Sequence, residues 1–176
     1  MIETDEQLVQ RARRGDRDAF AGLVARYEKP ALLLVGSILR NWHDARDVVQ
    51  DSFVVAYERL NKLWSPHKFS AWFLQIARRN ALVHVRRRRS RIEQTVSIGN
   101  RDEPAGDADS DMTISMDLAV ILDRLPKQEC VVVTLRHLNE LSVAEIAAIT
   151  GRPVGTVTKQ LSRAYARMRP WLDEWK

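Results

Sequence analysis

The chain has 176 residues, which is enough for one ordinary domain or for two small ones. Its 28 Lys and Arg residues outnumber its 23 Asp and Glu residues and give a formal net charge of +5, which favours an acidic partner such as nucleic acid or an anionic membrane surface. The acidic start MIETDEQLVQ is unlike a secretory signal, and the apolar run ALLLVGSIL is much shorter than the ~20 residues that cross a bilayer. We therefore expect a cytosolic protein without membrane insertion.

A single cysteine, Cys130, allows no internal disulfide and no cysteine-based zinc cluster. It lies in the apolar run CVVVTL, where a buried and inert thiol is the simplest interpretation. The four histidines lie far apart, without metal-ligand spacing: His43, His67, His84 and His137. Since there is also no Gly-rich phosphate loop and no nucleophile beside an evident base, the sequence gives no support for an enzyme, a metal site or a cofactor.

Three helical segments are predicted before residue 40. Thr4 and Gln7 form a capping box in front of a short first helix that Gly15 can end. Asp16 is placed to cap a second helix, in which apolar residues recur at helical spacing. A third apolar segment follows Pro30.

The next segment, DARDVVQDSFVVAYERL, predicts a fourth helix that Asp44 can cap. Its apolar residues form one stripe: Ala45, Val49, Phe53, Ala56 and Leu60. Several polar residues stay outside that stripe: Asp47, Gln50, Asp51 and Glu58. From the residues alone, this polar side is most simply a solvated helix face.

Residues 70 to 91 read SAWFLQIARRNALVHVRRRRSR and predict a helix that runs into five arginines within six residues. One side of the helical wheel is assigned to the core: Phe69, Phe73, Ile76, Asn80 and Val83. An adjacent stripe carries Trp72, Gln75, Arg79 and Arg86. Aromatic rings beside cations bind unstacked bases, at ~1–3 kcal/mol per stacked base. A core Trp72 followed by a solvated helix end is an equally good interpretation of the composition.

The composition changes at residues 99 to 111, GNRDEPAGDADSD, which hold five acids, one base, two glycines and a proline. Such a segment cannot bury enough apolar surface to offset the entropy cost of ordering it, so a flexible acidic linker is predicted. A second helical block follows, from about Met112 to Lys176. Its β-branched run VVVTL lies among helical patterns and is predicted to be a buried helix.

The stretch LSVAEIAAITGRPVGTVTKQLSRAYARMR carries the most specific local signal. Ser142 and Glu145 form a capping box, and Gly151 stands where a left-handed helix terminus favours glycine. A second helix opens after Pro153, with inward positions at Val157, Leu161, Ala164 and Met168 and outward positions at Gly155, Lys159, Ser162 and Arg163. The pattern is typical of a helix-turn-helix, whose second helix enters the major groove of DNA. An ordinary helical hairpin with a solvated basic face is the alternative.

Three long stretches resemble the extracytoplasmic-function (ECF) class of bacterial RNA polymerase sigma factors: DARDVVQDSFVVAYERL, FSAWFLQIARRNALVHVRRRR and LPKQECVVVTLRHLNELSVAEIAAITGRPVGTVTKQLSRAYARMR. The resemblance implies an all-α fold of two small helical domains. These are a sigma-two helical bundle at residues 1–95 and a sigma-four helix-turn-helix domain at 113–176, joined by the flexible acidic linker at 96–112. It implies an alternative sigma factor that directs core RNA polymerase to specific promoters. The first domain would bind the polymerase and open the minus-ten element, and the second would read the minus-thirty-five element.

The resemblance also assigns roles to residues. Asp47, Gln50 and Asp51 match the polar face that grips the clamp helices of the polymerase. The loop from Asn61 to Ser70 resembles the one that captures a base flipped from the non-template strand. The residues expected at the melted minus-ten strand are Asn61, Lys62, Lys68, Trp72, Gln75, Arg78, Arg79, Asn80 and Arg86. Those expected at the minus-thirty-five duplex are Arg152, Thr156, Thr158, Lys159, Gln160, Arg163 and Arg167.

One stretch departs from the pattern of the class. In TVTKQLSRA, the residues Thr158, Lys159 and Gln160 stand where the class often has a basic residue, a serine and an arginine, so a different promoter preference is expected. The implied partners are core RNA polymerase and promoter DNA, both as duplex and as melted non-template strand, in the bacterial cytoplasm. Many members of the class are also held by an anti-sigma factor. No cofactor and no ATP are implied.

Two other functions stay open from the residues alone. A stand-alone helix-turn-helix regulator that binds duplex DNA without polymerase would use residues 1–95 for ligand binding or dimerisation. That function explains the second block but gives no role to the stripe from Trp72 to Arg86. A helical protein-interaction module would explain the helix caps and apolar stripes but not the two clusters of basic residues.

The order of charges along the chain suggests a regulatory hypothesis. The acids of the linker lie between a basic run and a basic helix: Asp102, Glu103, Asp107, Asp109 and Asp111. If they fold back on the basic faces, the free protein is compact and binds DNA weakly. Polymerase would then spread the domains apart.

Overall fold

The computed structural model describes residues 3–96, 122, 124–137 and 141–173, and every regular element in these ranges is helical. Seven α-helices occur there: α1 (Asp5–Arg13), α2 (Arg17–Leu39), α3 (Trp42–Arg59), α4 (Phe69–Val96), α5 (Lys127–His137), α6 (Val143–Thr150) and α7 (Val154–Asp173). Two short 3-10 turns, Leu60–Lys62 and Pro66–Lys68, lie between α3 and α4. The predicted all-α fold is confirmed.

Local sequence signals set the ends of α1 and α2. The Thr4 hydroxyl accepts a hydrogen bond from the Gln7 backbone N–H at 3.3 Å, and the Gln7 side chain accepts one from the Thr4 N–H at 2.9 Å. The chain after α1 turns at Gly15, whose φ of +90° lies in the region that favours glycine. Asp16 caps α2 by accepting from the Ala19 N–H at 3.1 Å. The predicted capping box, helix stop and N-cap are all present.

Helix α2 continues through Pro30, so the second and third predicted segments are one helix. Proline removes one backbone hydrogen bond and crowds the preceding turn, which costs about 3 kcal/mol in a helix interior. Burial offsets this cost, because the residues that follow are all buried: Ala31, Leu32, Leu33, Leu34 and Val35. The helix ends at Arg40, which adopts the left-handed conformation with a φ of 55°.

The N-cap of α3 is Asn41, and the prediction that Asp44 caps this helix is wrong. The Asn41 side chain accepts from the Asp44 N–H at 3.0 Å, which is the bond that a cap makes to the third helical residue. Asp44 lies in the first turn, where a carboxylate is favoured by the helix dipole. Its carboxylate lies 3.4 Å from Nε2 of His84 and 3.6 Å from a guanidinium nitrogen of Arg88, so it joins α3 to α4.

Aromatic rings fill the centre of the first block, which α1 to α4 form. The Phe73 ring stacks on Phe53 with centroids 4.3 Å apart and on Phe69 with centroids 5.8 Å apart. Tyr27 of α2 completes the cluster, and its hydroxyl donates to the Asp5 carboxylate of α1. Burial, and then Asp5, raise the pKa of the Tyr27 hydroxyl above its ordinary value. The hydroxyl therefore keeps its proton and fastens α1 to the aromatic core.

Helices α5, α6 and α7 form the second block. The run VVVTL lies in α5 with all of residues 131–135 buried, which confirms the predicted buried helix, and Cys130 beside it is buried too. The Ser142 hydroxyl accepts from the Glu145 N–H at 3.3 Å, and the Glu145 carboxylate accepts from the Ser142 N–H at 2.9 Å. Gly151 ends α6 with a φ of +67°. The predicted capping box and helix stop are confirmed here as well.

The two blocks pack against each other, α2 on α5 and α4 on α6. A guanidinium nitrogen of Arg40 donates to the carbonyl oxygen of Leu125 at 2.8 Å. The side-chain amide of Gln75 donates to the carbonyl oxygen of Ala148 at 3.4 Å. Residues 97–112 of the predicted linker lie outside the described residues. The charge order suggested a compact free protein, but no sequence pattern indicated which helices of the two blocks are in contact.

Within the described ranges, no helix is both long and apolar enough to cross a membrane. No three His, Cys, Asp or Glu side chains of the described residues come together as ligands for a metal ion. His43 lies 3.8 Å from the Asp47 carboxylate, and Nε2 of His137 lies 2.9 Å from the Tyr165 hydroxyl. Such pairwise contacts are typical of surface histidines.

Candidate nucleic-acid interface

A polar face runs along the outer side of α3. Asp47, Gln50 and Asp51 are exposed on it. The opposite side of the helix is buried: Ala45, Val48, Val49, Ser52, Phe53 and Ala56. The first block thus presents two carboxylates and an amide on the side of α3 that faces away from its core.

An apolar groove lies beside this polar face, between α2 and α3. Its volume is about 780 Å³, and its lining includes Phe20, Val24, Gln50, Val54 and Tyr57. Val54 and Tyr57 are 54% and 45% exposed, so the groove keeps apolar side chains in contact with solvent. The sequence analysis missed both residues, although their position off the apolar stripe of α3 could have marked them. Because Gln50 belongs to the groove and to the polar face, the two form one continuous surface.

The loop between α3 and α4 carries a fully exposed aromatic side chain. Trp64 is 95% exposed, whereas Leu60 and Leu63 of the same loop are buried. The leucines fasten the loop to the core while the indole ring stands in solvent. The sequence analysis missed Trp64 as a site residue, and a tryptophan in a polar, proline-broken loop is the signal that could have found it. Three predicted strand-binding residues of the loop are exposed as well: Asn61, Lys62 and Lys68.

Helix α4 continues the surface that the loop begins. Gln75, Arg79 and Arg86 are exposed on the predicted stripe. Trp72 is only partly exposed, because its ring packs at 5.9 Å from that of Phe69. The stripe therefore offers one half-buried ring, one amide and two guanidinium groups, and Trp72 belongs to both the stripe and the core.

Arg78 lies where the two blocks meet. Burial, and then the nearby guanidinium of Arg152 in the second block, lower the pKa of Arg78 below its ordinary value. Burial also lowers the pKa of Arg152. Both groups stay cationic at neutral pH, since arginine titrates far above it. A residue predicted to bind one DNA element thus lies close to a residue predicted to bind the other.

Asn80 lies apart from the exposed stripe, between α4 and α3. Its side-chain amide donates to the Ser52 hydroxyl at 3.0 Å, and that hydroxyl donates to the Val48 carbonyl oxygen at 2.6 Å. Ser52 is fully buried. Asn80 thus joins α4 to α3 in this structure, and its predicted role in strand binding stays a prediction.

Helix α7, the second helix of the helix-turn-helix, presents a small, polar and basic face. The predicted DNA-binding residues on this face are exposed: Thr156, Thr158, Lys159 and Arg163. The inward positions are buried, with Val157, Leu161 and Ala164 between 0% and 5% exposed and Met168 packed against the core. Arg167 forms an ion pair with Glu129 of α5 at 3.1 Å. This pair fastens α7 to α5, so Arg167 supports the face that its neighbours present.

Gln160 lies on the inner side of α7 and is only 9% exposed. A guanidinium nitrogen of Arg152 donates to its side-chain oxygen at 2.9 Å, and its own amide donates to the Gln128 side chain at 2.9 Å. Both polar ends of Gln160 are thus engaged within the second block. Gln160 thus bridges α7, the turn and α5, and Arg152 shares that bridge. The predicted contact of Gln160 with DNA stays a prediction.

Comparison of sequences connects both blocks to one family. Residues 23–91 match the family described as Sigma-70 region 2, and residues 115–168 match the family described as Sigma-70, region 4. The chain is 35% identical over 173 residues to the ECF RNA polymerase sigma-E factor of Salmonella typhimurium. That alignment covers 92% of this chain and 90% of the relative.

Comparison of structures finds the same fold. CnrH, solved in complex with the cytosolic domain of CnrY, matches with a TM-score of 0.66 and 27% identity over 98% of this chain and 99% of the other. The sigma factor RpoE of Bartonella quintana, solved in complex with the anti-sigma factor NepR, matches with a TM-score of 0.67 over 88% of this chain and 96% of the other. Because RpoE is 21% identical, its likeness is one of fold. Both matches extend over the two blocks.

Proposed function

The chain belongs to the ECF class of RNA polymerase sigma factors, and on that premise we propose which of its surfaces carry each step of promoter recognition. A protein of this class directs core RNA polymerase to specific promoters, where transcription starts. One observation carries the proposal: the region-two block exposes an indole ring in its loop and arginines along α4, whereas the region-four block exposes a small, polar and basic helix face. The first surface suits a melted single strand, and the second suits an intact duplex.

Region two is expected to open and hold the minus-ten element. Taking a base out of its stack costs a few kcal/mol, and stacking it on an aromatic side chain returns ~1–3 kcal/mol. Trp64 offers such a ring without obstruction, and Gln75 offers an amide that can donate to a base edge and accept from it. The cations of the loop and of α4 would follow the phosphates of the separated strand: Lys62, Lys68, Arg79 and Arg86.

Region four is expected to read the minus-thirty-five element as an intact duplex. The N-terminal end of the second helix in a helix-turn-helix enters the major groove. In α7 that end presents Thr156, Thr158 and Lys159, whose hydroxyl and ammonium groups can reach base edges. Arg163 lies one turn further on and can reach a phosphate. Since these residues depart from the common pattern of the class, the promoter preference should differ too.

Core RNA polymerase is expected to bind the outer surface of α3. Asp47, Gln50 and Asp51 supply its polar part, and Val54 and Tyr57 beside them supply its apolar part. A protein interface typically combines an apolar centre with a polar rim. The groove and the polar face together have that composition.

The bacterial cytoplasm, where the polymerase works, is the expected location. The protein would contribute binding rather than a catalytic step of its own, and no part of the scheme calls for a cofactor or for ATP. An anti-sigma factor is a further expected partner, since many members of the class are held by one.

The packed arrangement of the two blocks is a resting form in this scheme. The minus-ten and minus-thirty-five elements lie about 25 base pairs apart, or roughly 85 Å at ~3.4 Å per pair. A compact chain of this length measures only about 40 Å across. In addition, α6 contacts the α4 stripe at Gln75, whose side-chain amide donates to the Ala148 carbonyl oxygen. Promoter binding therefore requires the blocks to separate, and the free protein should bind promoter DNA weakly.

The acidic linker would strengthen the resting form. The acidic segment lies in the sequence between a basic run and a basic helix, and Arg78 and Arg152 place cations where the blocks meet, so acids close to them would stabilise the contact. The test neutralises the five acids of the linker: Asp102, Glu103, Asp107, Asp109 and Asp111. DNA binding without polymerase, followed by fluorescence anisotropy at low salt, should become tighter. Equal affinity of the neutralised and the wild-type protein would remove the linker from the scheme.

Run-off transcription tests the function as a whole. Core RNA polymerase from the same organism transcribes a genomic fragment library with and without the purified protein, and new start sites are mapped. We expect protein-dependent starts that share two upstream elements at a fixed spacing. A protein that produces no new starts and does not bind the polymerase, yet binds duplex DNA with sequence preference, would instead be a stand-alone regulator.

A further inference from the structure

Arg13 of α1 holds the backbone of the loop that carries Trp64. Its Nε donates to the carbonyl oxygen of Leu60 at 3.2 Å, and a terminal guanidinium nitrogen donates to the carbonyl oxygen of Leu63. The two carbonyl groups lie 47 and 50 positions further along the chain. One side chain of the N-terminal helix thus binds both ends of the first 3-10 turn.

The conformation of Leu63 explains why this contact matters for Trp64. Leu63 is extended, with φ of −71° and ψ of 106°, and its side chain is 5% exposed. Successive side chains of an extended segment point to opposite sides, so burial of Leu63 turns Trp64 outward. The Leu60 carbonyl oxygen also accepts from the Leu63 backbone N–H at 3.2 Å, which closes the turn. Arg13 supplies charged donors to both carbonyl groups, and such hydrogen bonds are stronger than neutral ones.

Helix α1 is a firm support for this contact. Its Asp5 carboxylate accepts from Arg26 and from the Tyr27 hydroxyl, both of α2. Arg11 pairs with Asp16 at 2.7 Å across the turn that follows α1. The apolar side of α1 is buried: Leu8, Val9 and Ala12. Arg13 therefore reaches the loop from a helix that is itself tied to the core.

We propose that Arg13 is a positioning residue for reading the minus-ten strand. It fixes the loop so that Trp64 meets one unpaired base, and it does not touch the DNA itself. This inference rests on the proposed function of region two. It extends the determinants of base preference from the loop and α4 to the N-terminal helix, which no sequence pattern connects to the loop.

The test compares Arg13→Ala with Arg14→Ala. Arg14 is the next residue, is exposed, and carries the same charge, so its loss controls for the removal of one cation. Each full-length variant is combined with core polymerase for run-off transcription on the genomic fragment library. Base frequencies at each promoter position are then compared with those of the wild-type protein.

We expect Arg13→Ala to weaken the base preference at one or two adjacent minus-ten positions by roughly threefold to tenfold, as partial loss of one stacked base implies. Its minus-thirty-five preferences, and all preferences of Arg14→Ala, should stay unchanged. A merely structural role would lower the yield from all promoters together and leave the base preferences intact. Unaltered minus-ten preferences in Arg13→Ala would overturn the inference.

Arg13→Lys keeps the test decisive if Arg13→Ala does not fold. The lysine retains the charge but has no fork for two carbonyl groups, so its base preference should lie between those of Arg13→Ala and the wild type. If Arg13→Lys had the base preference of the wild type, the simultaneous contact of the guanidinium group with two carbonyl groups would not be needed, and this part of the inference would be wrong. Absence of starts with the wild-type protein would overturn the proposed function together with the inference, whereas wild-type starts with unaltered variant preferences overturn the inference alone.

Discussion

Region two and region four offer different side chains to the same polymer. Region two presents the exposed ring of Trp64 and the half-buried ring of Trp72, followed by arginines, whereas α7 presents threonines and Lys159. A flat ring suits the face of an unpaired base, and that face is hidden in an intact stack. Hydroxyl and ammonium groups suit base edges, which the major groove of a duplex exposes. On the proposed function, this difference in exposed side chains matches a single strand to region two and a duplex to region four.

The two surfaces also differ in how the chain supports them. The face of α7 follows from local signals, since the Ser142 cap and Gly151 set the turn that precedes it. The loop of region two depends on Arg13, which lies far away in the sequence. A surface built from local signals is expected to tolerate changes elsewhere in the chain, whereas the loop should respond to distant ones.

The largest expected effect comes from a variant that tests whether region four folds and binds DNA without region two. Phe73 is fully buried and stacks on two other rings, so Phe73→Ala should destabilise region two by about 3–5 kcal/mol. Thermal unfolding would report the loss, and anisotropy with a minus-thirty-five duplex would report region four. We expect duplex binding, which is weak in the packed wild-type protein, to persist and to tighten as region four is released. Val85→Ala, at an exposed site of the same helix, is the control. If duplex binding disappeared with the region-two fold, the blocks would not be independent.

The next effect sharpens the assignment of single-strand binding to region two. Trp64→Ala should weaken binding of the holoenzyme to a single-stranded minus-ten oligonucleotide by ~1–3 kcal/mol. The thermal stability should change little, because the side chain is 95% exposed. Trp64→Phe keeps a ring and should retain most of the affinity. Equal affinities of the Ala and Phe variants would argue against stacking.

A smaller effect is expected at the duplex-binding face. Lys159→Ala should lower the affinity for the minus-thirty-five duplex by about 1 kcal/mol and reduce the slope of log affinity against log salt by about one. The control is Arg169→Ala, which removes the same charge from an exposed position near the other end of α7. Titrations at several salt concentrations measure both quantities. An equal loss in both variants would reduce the assignment to a general charge effect.

An effect no larger than that at Lys159 is expected at the two capping boxes. Ser142→Ala should destabilise region four by about 1 kcal/mol, and Thr4→Ala should do the same to region two. The hydrogen bonds from Ser142 lower the pKa of the Glu145 carboxylate, so the ionised form stabilises the fold. This contribution is present above the ordinary pKa of Glu145 and is lost as the pH falls through the lowered one. Denaturation of the second block at several acidic pH values should show a weaker pH dependence for Ser142→Ala, and an identical dependence would contradict it.

Local chemistry explains what the sequence predicted well. The bonds at Thr4, Asp16, Ser142 and Gly151 each join residues a few positions apart, so their patterns are visible in the sequence. The same approach failed at Asp44, because the neighbouring Asn41 can make the same type of cap and the sequence does not rank the two. It also separated the halves of α2 at Pro30, because the burial that offsets a proline is a property of the whole fold.

For the candidate site too, sequence patterns predicted some features correctly and missed others. Periodicity placed Lys159 and Arg163 on the outer face of α7, where they are exposed. Gln160 was assigned to DNA because its amide can read bases, yet partners on other elements engage both of its ends. Trp64 was missed because a loop has no period that marks its exposed side chains. The contacts of Arg13 and the packing of the blocks could not be predicted from sequence patterns, because both join parts of the chain that are distant in the sequence.

The most direct test of the claim that region two binds a single strand and region four binds a duplex measures two variants with two DNA probes. The affinity of the holoenzyme is measured for a single-stranded minus-ten oligonucleotide and for a minus-thirty-five duplex, with Trp64→Ala and with Lys159→Ala. The account predicts that each variant loses affinity for one probe only: Trp64→Ala for the single strand and Lys159→Ala for the duplex. Parallel losses on both probes, or a loss of the opposite probe, would contradict it.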